Sequence, residues 1–163
     1  MTVPTAYIET SIVSYLAGKP SRDLLIAACQ KATWDWWQDH RAGYKFFTSQ
    51  LVVAEAGAGD PQAAKRRLAY LKGVPELLIT DEVKVLAKAL VAQGALPPKA
   101  EADALHIAVA AVHRIDLLVT WNCRHIDNPT MKPVVRSVCA VAGYSCPEIC
   151  TPMEILEAAR NEE

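Results

Sequence analysis

Short β-rich segments that alternate with helix-forming segments constrain the fold of this chain more than any other sequence feature. Parallel strands need long crossover connections, so a chain whose strands are separated by helices is expected to form a parallel sheet with right-handed crossovers. The pattern predicts a three-layer α/β/α fold with a central, mostly parallel sheet of four or five strands. The predicted strands are residues 4–10, 44–49, 76–80, 117–121 and 148–151.

Length and composition favour one domain over residues 1–163. The 163 residues, of which 52% are apolar, match a single domain and supply enough apolar side chains for a core. The formal charge is −1, so no overall field attracts nucleic acid or a membrane, and any contact with a polyanion must be local. The N-terminus lacks a secretory signal pattern, and no apolar segment approaches the ~20 residues of a membrane helix. We therefore expect a cytoplasmic protein without membrane contact.

The five cysteines are predicted to be reduced thiols, because their odd number and irregular spacing do not match a secreted disulfide framework. A zinc site that draws on several of them is an alternative. The chain has no CxxC pair and three residues separate Cys146 from Cys150, so the spacing gives zinc little support. The side chains in question are Cys123, His125, Cys139, Cys146 and Cys150.

Three carboxylates stand alone in apolar surroundings. Glu9 ends the first predicted strand, Glu55 lies in the helix after the second, and Asp103 begins the apolar helix before the fourth. Neither Glu9 nor Glu55 has a lysine or arginine nearby in sequence, and a buried charge is costly unless it is paired or binds a cation. Asn122 ends the fourth strand, at the same edge of the sheet, so we expect the four side chains to converge on a metal. For each acid taken singly, a helix cap or an ion pair remains an alternative.

Oxygen donors of this kind suit Mg²⁺ or Mn²⁺ better than zinc. Such ions permit phosphodiester hydrolysis, because they lower the pKa of a water molecule for in-line attack and neutralise charge on the phosphoryl and leaving oxygens. The chain has no GxGxxG, GxxxxGK[ST] or GxSxG motif. Dinucleotide binding, P-loop nucleotide binding and a serine nucleophile therefore lose their main support.

Four segments, YIETSIVSYL, LVVAEAGAGD, EADALHIAVA and LLVTWNCRHI, resemble the PIN domain, the ribonuclease fold of VapC-type toxins. The resemblance spans nearly the whole chain and implies a PIN-like fold. It also implies a metal-dependent endoribonuclease that cuts RNA as the toxin of a type II toxin–antitoxin pair and is restrained by a small antitoxin protein. Carried onto this sequence, the catalytic and metal-binding positions are Glu9, Glu55, Asp103 and Asn122.

Two of these positions depart from the family pattern, in which the first and fourth are most often aspartate. Glu9 keeps the charge but adds a methylene group, whereas Asn122 keeps an oxygen and loses the charge. Weaker Mg²⁺ binding is the expected consequence, and an arrangement of two ions loses support, with one ion and two ions both left open. The alternative function is therefore a catalytically weak or inactive PIN-like module that binds RNA or protein. Asp127 is a candidate to compensate for the lost charge, although Asp127-Asn128-Pro129 is more typical of a turn.

Other polar residues near these positions are candidates for supporting roles. Thr10, Ser11 and Thr120 place hydroxyls beside the acids, where they would orient a carboxylate or hold water, and Ser11 would also cap its helix. Lys99, one turn before Asp103, is the basic residue expected to contact substrate phosphate.

Two histidines have alternative interpretations. His106 lies one helical turn from Asp103 and either hydrogen-bonds to it or is a buried, satisfied core residue, which is the favoured interpretation. His125 follows the fourth strand and either contacts a phosphate or belongs to a surface loop without a role, again the favoured interpretation.

Three tryptophans lie in the long helix predicted for residues 21–40. At helical spacing, Trp34 and Trp37 share a face and Trp36 points away, so all three cannot be in the core. One large aromatic side chain is therefore expected at an interface, with an antitoxin or with a second copy in a homodimer.

Overall fold

A single sheet of five parallel strands forms the middle layer of the computed structural model, which describes residues 2–161. The predicted three-layer α/β/α fold is confirmed. The strands are β1 (Thr5–Ile8), β2 (Lys45–Ser49), β3 (Glu76–Leu77), β4 (Leu117–Val119) and β5 (Glu148–Cys150). Each lies inside its predicted segment, with ends trimmed by up to three residues.

The order of the strands is β3-β2-β1-β4-β5, so the chain builds one side of the sheet outward from β1 and then returns to build the other. Tyr7 of β1 pairs in register with Phe47 on one side and Leu118 on the other. Because all neighbours are parallel, the carboxyl ends of β1, β2 and β4 lie at one edge, around the point where the strand order reverses. Ligand sites of open α/β sheets form at this point.

Eight helices connect and cover the strands within residues 2–161. Most begin with a side chain that accepts a backbone N–H of the first turn, as at Asp23, Asp60, Thr80 and Thr151. They are α1 (Thr10–Ala17), α2 (Leu24–Asp35), α3 (Gln50–Ala56), α4 (Pro61–Leu71), α5 (Asp81–Ala92), α6 (Glu101–Val112), α7 (Lys132–Val141) and α8 (Pro152–Arg160). None of these helices has the length and apolar character that a membrane crossing requires.

Helix α6 is the most buried helix, as its apolar sequence predicts. Seven of its side chains are inaccessible or nearly so, and α5 and the sheet cover it. Most of these side chains are alanines, whose small size lets the helix lie close to its neighbours. The buried polar side chain of α6, His106, is therefore held in a fixed position. The buried residues are Ala104, His106, Ile107, Ala108, Val109, Ala110 and Ala111.

The prediction of one continuous helix over residues 21–40 is wrong. Helix α2 ends at Asp35, and a π-helical turn, Trp36–His40, follows it. The wider turn abolishes the 100° spacing on which the prediction rested, so Trp36 and Trp37 are both buried, against Phe46. Trp34 alone remains 38% exposed, with its ring edge against Tyr70. It is the aromatic residue left for the predicted interface, and that role stays a prediction.

Three hydrogen bonds at the protein surface join Thr5, the first residue of β1, to Asp116, the residue before β4. Asp116 Oδ2 accepts hydrogen bonds from the backbone N–H of Thr5 at 2.8 Å and from its hydroxyl at 2.9 Å. The same hydroxyl accepts from the backbone N–H of Asp116 at 2.9 Å. The hydrogen bonds from Thr5, first the backbone one and then the side-chain one, hold the pKa of Asp116 below its usual value.

Asp116→Asn should lower the free energy of unfolding by about 1 kcal/mol at pH 7, since one charge-assisted acceptor is replaced by a neutral one. A carboxylate whose pKa is lowered in the folded state stabilises the fold above its unfolded pKa and loses that effect as the pH falls through the folded value. The gap between wild type and variant, measured by urea unfolding, should therefore shrink from pH 7 toward pH 3. Asp39→Asn, at another exposed aspartate, controls for charge removal. A gap that does not change with pH would contradict the assignment.

Candidate metal centre

Glu9 follows β1 and forms the N-cap of α1, with its carboxylate only 5% exposed. Its Oε2 accepts from the backbone N–H of Ser11 at 2.9 Å, and its Oε1 accepts from the Ser11 hydroxyl at 2.7 Å and the Thr120 hydroxyl at 2.5 Å. The dipole of a helix favours a carboxylate at its N-terminus, which is where Glu9 lies on α1. Glu9 is therefore the cap of this helix, and the predicted cap at Ser11 is wrong: Ser11 supplies the N–H and hydroxyl that the cap accepts.

Glu55 is partly exposed and lies on α3, the helix that follows β2, where its carboxylate is close to that of Glu9. Its Oε1 accepts from the Thr10 hydroxyl at 2.5 Å and contacts Nε2 of His106 at 2.7 Å. Burial raises the pKa of the Glu55 carboxyl. The hydrogen bond and electrostatic interaction with His106, and the hydrogen bond from Thr10, outweigh this effect, so the resulting pKa lies below the usual value. The carboxylate is accordingly ionised at neutral pH.

His106 is 1% exposed and lies between Glu55 and β1. Besides its contact with Glu55, its Nδ1 is 2.8 Å from the hydroxyl of Tyr7, which is itself 2.8 Å from the hydroxyl of Ser49. The favoured interpretation as a buried, satisfied histidine is confirmed, although its carboxylate partner is Glu55 and not Asp103. The sequence signal for this role is a lone imidazole on an otherwise apolar helix.

Glu9, Glu55 and His106 form a group that could hold a metal ion. One ligand atom from each lies within 4.8 Å of those of the other two. No lysine or arginine of residues 2–161 forms an ion pair with either acid. Within the same residues no other set of three or more histidine, cysteine, aspartate or glutamate side chains meets this spacing, so the zinc alternative has no geometric support.

Asp103 and Asn122 are brought together in a second, adjoining cluster. Asn122 Nδ2 donates to Asp103 Oδ1 at 3.0 Å, and His125 Nδ1 lies 3.0 Å from Asp103 Oδ2. Asn122 Oδ1 accepts the backbone N–H of His125 at 3.0 Å. The side chain of His125 is 15% exposed and lies against Asp103, so it has a structural contact, while its predicted alternatives, a phosphate contact or no functional role, stay predictions. Asp103 is outside the Glu9–Glu55–His106 group, and its role and that of Asn122 as metal ligands stay predictions.

The two clusters share the hydroxyl of Thr120, at the end of β4. It donates to Glu9 and accepts the backbone N–H of Asn122 at 2.9 Å. The Ser11 hydroxyl makes a parallel link, since it donates to Glu9 and accepts the N–H of Trp121 at 2.7 Å. The segment after β4 is thus fixed relative to the acid at the end of β1.

The remaining predicted residues lie apart from this arrangement. Asp127 is buried in a turn and forms an ion pair with Lys132 at 2.6 Å. Burial raises the pKa of the Asp127 carboxyl, and nearby Glu154 raises it further, whereas Lys132 lowers it; the net effect is an increase. Asp127 belongs to neither cluster, so it does not replace the charge missing at Asn122. Lys99 is exposed in the 3-10 turn before α6, and its phosphate contact stays a prediction.

Thr120→Val should weaken Mn²⁺ binding about tenfold, because it removes the donor that orients Glu9 and the acceptor for Asn122. Calorimetric titration measures the affinity. Thr48→Val is the matched control: the Thr48 hydroxyl is buried and has no partner within residues 2–161, so its loss should leave the affinity unchanged. Equal affinities in wild type and both variants would contradict a role for Thr120 in the site.

Comparison of the chain with protein-family models, with curated proteins and with solved structures gives no match. The relation to PIN domains stays a prediction carried by the four sequence segments. What the chain does must therefore be inferred from the geometry of the Glu9–Glu55–His106 group and its neighbours.

Proposed function

We propose that this chain is a metal-dependent endoribonuclease of the PIN type, which hydrolyses RNA phosphodiester bonds and acts as the toxin of a type II toxin–antitoxin pair. One observation carries the catalytic part: two acids from separate segments, Glu9 and Glu55, meet at the carboxyl edge of a parallel sheet, and no lysine or arginine of residues 2–161 forms an ion pair with either. A small antitoxin belongs to the same proposal through the PIN resemblance, and a homodimer and a cytoplasmic location belong to it as expectations from the sequence.

The donors available fit a hard divalent cation. A carboxylate has about four lone-pair positions, and three hydrogen bonds reach Glu9, which leaves one for a cation. Oε1 of Glu55 makes two hydrogen bonds, whereas its Oε2 accepts none from residues 2–161. Each acid thus keeps an oxygen for the ion, and oxygen donors suit Mg²⁺ or Mn²⁺.

Each polar group of the site then has a task. A bound divalent ion supplies positive charge to the scissile phosphate and lowers the pKa of water beside it. Ser11 and Thr120 orient Glu9, and Thr10 and His106 orient Glu55, so neither carboxylate has to reorganise. Asp103 is 22% exposed and is linked to Glu9 through Asn122 and Thr120, and it is the further acid of the proposed site. Lys99, one turn earlier, is the group proposed to bind an adjacent phosphate.

A second candidate function, RNA or protein binding without turnover, is favoured by the contacts of Asn122. The amide nitrogen of Asn122 donates to Asp103 and so takes up one of the oxygen lone pairs that could bind a cation. An aspartate at position 122 would instead add a negative charge beside Asp103. Fewer charges hold an ion more weakly.

Glu55→Gln should abolish RNA cleavage in Mn²⁺, with a loss above the 10–100-fold typical of residues that only support a ligand. An RNA pool cut by the wild type in Mn²⁺ or Mg²⁺, and protected by a chelator, provides the assay. Glu101→Gln, which changes an exposed acid in the first turn of α6, is the control for charge loss. Cleavage that persists with chelator and in Glu55→Gln would overturn the proposal.

Asn122→Asp separates the two candidate functions. If Asn122 merely weakens an active site, the aspartate should increase cleavage and tighten Mn²⁺ binding, since it adds a charge next to Asp103. Cleavage rate and calorimetric affinity are measured on the same preparation. A stable RNA complex that neither wild type nor Asn122→Asp cuts would support the binding module instead.

A further inference from the structure

His106 contacts Glu55, one of the two acids proposed to bind the ion, so it is either a third ligand or a partner that orients Glu55. The position of one hydrogen atom decides between these roles. If Nε2 carries a hydrogen, its lone pair is not available to a cation. The hydrogen bonds around His106 determine where that hydrogen lies.

A buried chain of hydrogen bonds runs from Ser49 through Tyr7 and His106 to Glu55. The Ser49 hydroxyl accepts the backbone N–H of Val52 at 3.3 Å as the cap of α3, and Tyr7 is its other partner within residues 2–161. The hydrogen of Ser49 therefore points to the oxygen of Tyr7. A tyrosine phenol carries its hydrogen at neutral pH, so Tyr7, which accepts from Ser49, can donate its own hydrogen to Nδ1 of His106.

Only this direction satisfies every group in the chain. With Nδ1 as an acceptor, a neutral ring carries its hydrogen on Nε2 and donates it to Glu55 at 2.7 Å. In the opposite direction the Ser49 hydrogen would have no acceptor, and the Nε2 lone pair would face a carboxylate oxygen. A doubly protonated ring also has a hydrogen on Nε2. The assignment therefore does not depend on the charge of the ring.

We propose that His106 is a positioning residue that donates from Nε2 to Glu55 and stays outside the coordination of the ion. The ion is then bound through oxygen atoms alone, and its affinity depends on His106 only through the orientation of Glu55. This inference rests on the proposed metal site. Ser49 and Glu55 lie at the two ends of α3, so the chain ties the cap of that helix to the carboxylate near its last turn through β1 and α6.

The hydrogen can be located by NMR of protein labelled with ¹⁵N-histidine. Two-bond correlations between ring carbon-bound hydrogens and ring nitrogens distinguish a protonated from an unprotonated nitrogen, and His106→Gln assigns the signal among four histidines. We expect Nε2 to be protonated before and after saturation with Mg²⁺, with Nδ1 an acceptor in a neutral ring and a second donor in a doubly protonated one. A hydrogen on Nδ1 alone, or loss of the Nε2 hydrogen when Mg²⁺ binds, would overturn the proposal.

Metal affinities provide an independent test in the whole chain. Mn²⁺ and Mg²⁺ are used because the five free cysteines would compete for zinc. His106→Gln keeps an N–H donor and should hold both affinities within about threefold of wild type, while His106→Ala should weaken both by about 10–100-fold. A ligand histidine predicts a different result: both variants would lose Mn²⁺ far more than Mg²⁺, because nitrogen donors favour Mn²⁺.

Tyr7→Phe tests the chain one step further from the ion. It removes the donor to Nδ1 and should weaken Mn²⁺ binding severalfold, within the range for groups that orient a ligand. Tyr144→Phe, at the opposite edge of the sheet beside Asp116, is the matched control. Circular dichroism and urea unfolding show that each variant is folded.

The outcomes separate this proposal from the proposed function. Wild-type protein that binds neither Mg²⁺ nor Mn²⁺ overturns the metal site and the oxygen-only coordination with it. Metal binding with a ligand-type response of His106 overturns only the positioning role. Metal binding with a protonated Nε2 and a functional His106→Gln supports both.

Discussion

The buried carboxylate of Glu9 is the constraint on which the rest of the site depends. A carboxyl group on a side chain that is 5% exposed must find hydrogen-bond donors or a cation, and residues 2–161 supply three donors and no ion pair with a lysine or arginine. Two of those donors come from the first turn of α1 and one from Thr120, which follows β4. The start of α1, the end of β1 and the segment after β4 are therefore fixed together around one carboxyl group.

The strands could be predicted from sequence because their signal is local. β-branched and aromatic runs bounded by turn residues identify a strand wherever its partners lie, and only the outer residues were misplaced. The parallel arrangement followed from the helical connections. The course of residues 21–40 could not be derived in this way, because the π-helical turn that buries Trp36 and Trp37 is stabilised by tertiary packing against Phe46. Helix α8 was missed although its Thr151 capping box is a local sequence signal.

The approach of Glu9 and Glu55 to one another could be predicted because their isolation from cationic residues in sequence matches their isolation in space. Glu9 and Glu55 have no cationic neighbour in sequence, and they have none in space among residues 2–161. Asp103 differs because its partners, Asn122 and His125, lie 19 and 22 residues further along the chain, beyond the reach of any local pattern. From sequence, His106 was interpreted as a core residue or as a partner of Asp103, since a single sequence does not reveal that Glu55 and Tyr7 approach it from different elements.

The shortness of the outer strands limits how copies of the chain can associate. The edge strands are β3, with two residues, and β5, with three. Because they are so short, they expose few of the free backbone N–H and C=O groups with which another strand could pair. Extension of the sheet from one molecule to the next is thereby disfavoured, which also guards against aggregation. A stable dimer would have to form through the side chains of the helical layers.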